Sequence, residues 1–252
     1  MTENRPLPLV ALRTYLERLR SALDDLEGEA GKELRRGPGA RVYGLYVIID
    51  PEVTGGRDPL EVARGALRGG ARMLQMRDKL RDKGQTLPLA RAMKELCAEY
   101  NALLIVNDHA DLAAVVDADG LHVGQGDLPV AEARRILRPQ QIIGRSNHLF
   151  EEALESQAQG ADHVAVGAVY GTTTKASIRR RAPIGPDAVR RVKEVVNVPV
   201  VAIGGINEEN VEPVVKAGAD AICVTSAVGL ARDPEEASRR LVERILRAGG
   251  RA

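Results

Sequence analysis

Three short polar motifs hold most of the side chains able to do chemistry: Gln75-Met76-Arg77-Asp78-Lys79, Asn107-Asp108 and Gly124-Gln125-Gly126-Asp127. Each follows an apolar, β-branched run. Together they offer two cations, Arg77 and Lys79, the carboxylates Asp108 and Asp127, and several neutral hydrogen-bonding groups. That set suits a diphosphate held through a divalent metal, with cations on the phosphate oxygens and hard carboxylate oxygens on the metal. The two-residue period of an extended chain sends Gln75, Arg77 and Lys79 to one face and Leu74 and Met76 to the other. A buried Arg at a strand end costs several kcal/mol unless it meets an anion. A phosphate meets that need, and so does a salt bridge with Asp78 or a neighbouring carboxylate.

Asn107-Asp108 ends one strand and Asp127 follows the next. Neighbouring parallel strands lie about 4.8 Å apart, so both carboxylates can reach one cation. Magnesium commonly takes one or two protein carboxylates and fills its shell with waters and phosphate oxygens. Taken singly, each aspartate also reads as a helix cap: Asp127 before Leu128-Pro129, and Asp108 or Asp111 before the helix that follows. Their occurrence together beside Arg77 and Lys79 favours the metal.

Further along come a hydroxyl-rich loop, Tyr170-Gly171-Thr172-Thr173-Thr174-Lys175, and two strand ends at Gly204-Gly205 and Thr225-Ser226. The last two lie where many barrels bind phosphate on backbone amides. The Arg179-Arg180-Arg181 run reads as solvated surface. His122 and His163 fall early in their strands and read as hydrogen-bonded core groups; His148 follows Ser146, and only Ser146 is a site candidate there.

These motifs need a scaffold that brings strand ends together. Strands are read at Val42–Asp50, Met73–Arg77, Leu103–Asp108, Gly120–Gln125, Gln141–Ser146, Asp162–Tyr170, Val200–Ile206 and Ala221–Ser226. Helices are read near Pro59–Arg68, Leu87–Tyr100, Asp111–Val116, Pro129–Leu137, Glu151–Gln159, Pro186–Val196, Glu208–Lys216 and Pro234–Arg247. Such alternation over residues 42–252 predicts an α/β fold, a single (β/α)8 TIM barrel forming the catalytic domain. A doubly wound sheet is the alternative, disfavoured by regular units without a long crossover. Gly160-Ala161-Asp162 and Gly218-Ala219-Asp220 repeat at a helix end and strand start, with Gly70-Ala71-Arg72 a weaker copy.

Residues 1–41 precede this pattern as an N-terminal helical extension. Leu9, Leu12, Leu16, Leu19, Leu23 and Leu26 recur at three- and four-residue steps, followed by a Gly- and Arg-rich linker at Gly28–Arg41. The stripe suits packing on the barrel or pairing with another subunit of a homo-oligomer.

Composition narrows the partners. With 36 basic against 35 acidic residues, charge gives no reason to expect nucleic acid or an anionic membrane. The absence of Trp and the presence of one Phe point to a core of Val, Ile, Leu and Ala. Cys97 and Cys223 lack metal or disulfide spacing and read as buried thiols. Without a signal-peptide pattern or a membrane-length apolar run, a cytoplasmic protein acting on small molecules is expected.

The whole of Val42–Arg247 resembles the thiamine phosphate synthase family. The resemblance rests on Q-x-R-x-K at Gln75–Lys79, N-D at Asn107-Asp108, D-G-x-H-x-G-Q-x-D at Asp119–Asp127, the Thr172–Lys175 loop and the Ile203–Ile206 turn. Gly171 departs from it, since the family commonly has proline there. The resemblance implies that Gln75, Met76, Arg77, Asp78, Lys79, Asn107, Ser146 and Lys175 hold 4-amino-2-methyl-5-hydroxymethylpyrimidine diphosphate, and that Asp108 and Asp127 bind Mg2+. It implies that Thr172, Thr173, Thr174 and Gly205 face hydroxyethylthiazole phosphate, whose phosphate rests near Thr225 and Ser226. Joining the two releases diphosphate, with Arg77, Lys79 and Lys175 as catalytic cations. No general base is required, in keeping with a site lacking a His–carboxylate pair. A tautomerase-like isomerase would keep Gly205 and Ser226 but need no paired metal carboxylates. A ligand-sensing barrel without catalysis would need no full set of charged strand ends.

Overall fold

The computed structural model describes residues 9–172 and 182–252. Eight parallel strands close into a barrel in sequence order, each paired with its chain neighbours and the last with the first. A long helix, α1 (Leu9–Ala40), leads into β1 (Gly44–Ile49), α2 (Pro59–Arg68), β2 (Met73–Met76), α3 (Lys83–Glu99), β3 (Leu103–Asn107) and α4 (Ala110–Val115). There follow β4 (Gly120–Val123), α5 (Val130–Arg134), β5 (Ile142–Asn147), α6 (Phe150–Ala158), β6 (His163–Gly167) and α7 (Gly185–Val195). The chain ends with β7 (Val200–Ile203), α8 (Val211–Lys216), β8 (Ala221–Val224), a short α9 (Ser226–Gly229) and α10 (Pro234–Arg247). Closure settles the choice against an open doubly wound sheet.

The strands are apolar on both faces because each is covered twice. Outward residues such as Leu74, Met76, Leu104, Val106, Ile143 and Val164 pack beneath the helices. Inward residues Tyr46, Ile48, Met73, Leu103, Ile105, Ile142, Val201 and Cys223 fill the barrel. Val, Ile, Leu and Ala dominate, as the scarcity of aromatics requires, and Tyr46 is the large exception. Its hydroxyl accepts a 2.7 Å hydrogen bond from Gln75 Nε2, so neither polar group is buried alone. Local chemistry starts the helices: Asp58 accepts from Leu60 N ahead of Pro59, and Asp233 accepts from Glu235 N and Glu236 N around Pro234.

The repeated Gly-Ala-Asp has a structural reason. Gly160 and Gly218 adopt φ of +89° and +98°, the left-handed turn past a helix end. Asp162 then accepts from Ile143 N of β5 (2.7 Å) and Arg134 of α5 (2.5 Å), while Asp220 accepts from Val200 N of β7 (2.7 Å) and Lys193 of α7 (2.6 Å). Asp119 repeats the clasp on Leu104 N and Lys94. Each carboxylate ties the preceding strand and its preceding helix to the next strand at the amino end of the barrel, opposite the polar strand ends.

Several features differ from the sequence reading. Residues 28–40 are not a linker, because α1 continues to Ala40. A Gly within a helix costs only about 1 kcal/mol, and this stretch is supported by Lys32–Glu29 and Arg36–Glu33 pairs and by Arg35, which reaches Asp162 and Pro139 O at 2.9 Å each. The stripe does not pack on the described barrel: Leu12, Leu16, Leu19, Leu23 and Leu26 are exposed. Further, α3 begins one turn earlier than read, and α9 and a 3-10 turn at Pro51–Val53 were not foreseen. Among the described residues no helix is long and apolar enough to cross a membrane.

Candidate active site

The polar motifs converge at the carboxyl ends of β1 to β5. Lys79, just past β2, forms an ion pair with Asp108, just past β3. Asp108 holds a left-handed φ of +60° while its N–H donates to His122 O at 2.8 Å. Aspartate is among the few residues that tolerate this conformation. Asp127 accepts a 2.7 Å bond from Gly124 N within its own loop. It does not cap α5, whose capping position is Pro129, and Asp108 does not cap α4, which begins after His109. The capping alternative is thereby removed for both. Burial, reinforced by the neighbouring Asp108 carboxyl, raises the Asp127 pKa against the opposing effects of Gly124 N–H and Lys79. Adjoining hard oxygens of this kind fit a divalent cation, which relieves their repulsion. Among the described residues no cluster of three or more His, Cys, Asp or Glu offers a competing centre.

Arg77 pairs with Asp50, a buried carboxylate at the end of β1 that the sequence reading passed over. Its signal was its place, since it ends a strand just as Asp108 follows one. Ser146 Oγ lies 2.9 Å from His122 Nε2, and Gln125 Nε2 donates to Ser146 O at 2.6 Å. Asn107, at the end of β3, pairs in register with His122.

Two members of the first motif stand apart. Met76 turns outward into the helix-facing core. Asp78 organises the following turn, accepting from Leu80 N, Arg81 N and Arg81 Nε. Burial alone would raise its pKa, but these donors outweigh it and the net shift is downward.

From Asp50 and Arg77 a cleft of about 370 Å³ extends across the ends of β6 to β8, its lining including Thr172, Gly205, Thr225 and Ser226. Gly205, at φ +65°, lies so close to Gly171 O that a Cβ would come within 2.4 Å. Asn210 braces this turn by donating to Gly205 O at 2.9 Å, and Tyr170 in turn donates to Asn210 O at 3.0 Å. Thr225 and Ser226 open α9, whose first amides have no carbonyl one turn earlier. Arg57, also missed from sequence, holds that turn by donating to Gly229 O (2.7 Å) and Thr54 O (2.9 Å). Thr173, Thr174 and Lys175, together with the Arg179–Arg181 run, fall outside the described residues.

The histidines supply no acid–base pair here. His148 Nδ1 lies 2.9 Å from Gly167 O. His163 departs from the expected hydrogen-bonded core group: it is fully buried, and neither ring nitrogen has a partner among the described residues. Burial lowers its pKa to about 4, so it is neutral at pH 7. Both cysteines are free and buried, as expected; burial pushes the Cys97 thiol up to about 12 and raises Cys223 too.

Comparison with known proteins identifies the family. Residues 45–228 match the family described as thiamine monophosphate synthase (TMP-TENI). A thiamine-phosphate synthase of Shouchella clausii is 46% identical over 200 residues, covering 79% of this chain and 95% of that protein. One from Moorella thermoacetica is 43% identical over 209 residues, covering 83% and 99%. The solved structure of a thiamine phosphate pyrophosphorylase from Pyrococcus furiosus superposes with a TM-score of 0.75 at 39% identity, covering 82% of this chain and 96% of that one. The chain therefore belongs to the thiamine monophosphate synthase family, transferases of thiamine biosynthesis.

Proposed function

We propose that the two sides of the mouth bind the two halves of thiamine phosphate. The side built from Gln75, Arg77, Lys79, Asn107, Asp108, Asp127 and Ser146 takes 4-amino-2-methyl-5-hydroxymethylpyrimidine diphosphate. The cleft at Thr172, Gly205, Thr225 and Ser226 takes hydroxyethylthiazole phosphate, or its carboxylated form with loss of CO2. The observation that carries this reading is the Lys79–Asp108 pair beside Asp127, next to a cleft that is bounded by Arg77 and lined further on by phosphate-suited turns.

Asp108 and Asp127 would hold Mg2+, which when bound neutralises charge on the diphosphate oxygens. Arg77 and Lys79 stabilise the same charge as the carbon–oxygen bond to diphosphate breaks, and the pyrimidine amino group stabilises the methylene cation left behind. The thiazole ring nitrogen then forms the new carbon–nitrogen bond, with no proton to remove. The residues therefore act by charge stabilisation and alignment, which accounts for a site without a His–carboxylate pair. Lys175 is assigned to the diphosphate on the family resemblance.

Incubation with both substrates and Mg2+, followed by chromatography for thiamine phosphate and diphosphate, tests the reading. Equimolar products are expected. Conversion of the thiazole phosphate without the pyrimidine diphosphate would replace this reading with an isomerase.

A further inference from the structure

We propose that Asp50 is a positioning residue of this site, holding the Arg77 guanidinium at the boundary between the diphosphate side and the cleft. The inference rests on the proposed function above. Asp50 directly follows β1, and its side chain is 1% exposed. One carboxylate oxygen accepts from Glu52 N at 3.0 Å, which anchors the 3-10 turn Pro51–Val53, and the other accepts from Arg77 Nη1. Each oxygen therefore has a donor. Arg77 N also donates to Ile49 O at 3.0 Å, so the two strand ends are joined by backbone as well as side chain. Both residues line the cleft that holds Gly205, Thr225 and Ser226.

A buried carboxylate is an unwelcome neighbour for two incoming phosphates, and it weakens the field that draws them in. What it supplies in exchange is orientation. An arginine side chain samples many rotamers when free, and a fixed carboxylate on one edge of its planar fork leaves the remaining donors of the guanidinium aimed as a unit. Orientation matters most when the leaving group gains charge, whereas ground-state attraction depends on net charge. Asp50 should therefore act on turnover through Arg77, and oppose binding slightly.

A double-mutant cycle decides this, with wild type, Asp50→Asn, Arg77→Gln and the double variant. Asp50→Asn is expected to lower kcat by about 10²-fold while KM for the pyrimidine diphosphate stays level or falls. In the Arg77→Gln background the same change should cost no more than about 2-fold. Equal losses in both backgrounds, or a raised KM with kcat intact, would overturn the proposal. Asp50→Ser keeps an acceptor for Glu52 N–H without the charge, and carries the cycle if Asp50→Asn melts early. Calorimetric titration of inorganic diphosphate with Mg2+ into the same proteins needs no turnover. Inorganic diphosphate carries the charge of the departed leaving group, so weaker binding is expected for Asp50→Asn, with no further loss when the change is made in Arg77→Gln; binding as tight as wild type in Asp50→Asn would overturn the proposal. A wild type that binds diphosphate but forms no thiamine phosphate would sink the proposed function while leaving this binding cycle readable.

Discussion

Lys79 and Asp108, on the ends of neighbouring strands, form an ion pair within interaction range of a second carboxylate, Asp127. One ammonium facing two carboxylates leaves the group net negative, which suits the proposed Mg2+. The first expected consequence concerns Lys79→Ala. The pair is partly exposed, so its loss should cost at most about 1 kcal/mol of stability. Loss of a cation on the leaving group should lower kcat by about 10²–10³-fold. Thermal melts and steady-state kinetics separate the two effects.

Metal binding should follow the charge of Asp127. Its folded pKa is raised, so without metal its contribution to stability is present at acid pH and fades as pH rises through that value. The proposed Mg2+ would select the deprotonated form and stabilise the fold by mass action. The melting temperature is expected to rise with Mg2+ at pH 7.5 and to lose that response in acid, as Asp127 takes up its proton. Asp127→Ala should abolish the response at every pH while leaving the circular dichroism spectrum unchanged.

Gly205→Ala tests the cleft. The left-handed backbone and the approach to Gly171 O leave no room for a methyl group. A cost of about 1–3 kcal/mol is expected, with KM for the thiazole phosphate raised more than KM for the pyrimidine diphosphate. Equal effects on both would place Gly205 outside the thiazole side.

Asp162→Ala should destabilise without touching chemistry. It removes the partner of Arg134 and Arg35, all three being largely buried, and of Ile143 N. A loss of about 3–5 kcal/mol is expected, read by urea denaturation, with kcat near wild type wherever the protein remains folded. In contrast, Leu19→Ala on the exposed stripe should change stability by less than about 0.5 kcal/mol.

The barrel was legible because its signals are local. β-branched runs, amphipathic helical stretches and Gly-Ala-Asp junctions each declare an element within a few residues, and eight such units leave closure as the favoured arrangement. The first motif was half legible. Alternation correctly sent Gln75, Arg77 and Lys79 inward and Met76 outward, whereas Asp78 looked like a site group until its oxygens were found committed to Leu80 and Arg81. The end of α1 was misjudged because glycine content argued for a linker, while the bond from Arg35 to Asp162, far away in sequence, kept the chain helical.

By itself, the sequence determined which residues stand at strand ends, which face of each strand they share, and the family to which the chain belongs. The tertiary structure alone decided which of them meet. It paired Arg77 with Asp50 across one strand boundary and Lys79 with Asp108 across the next, and it brought Asp108 to Asp127. The physical reason is that strand order fixes neighbours only to within a strand spacing. Which carboxylate a long cation reaches depends on register, loop backbone angles and burial, and these are settled only when the barrel closes.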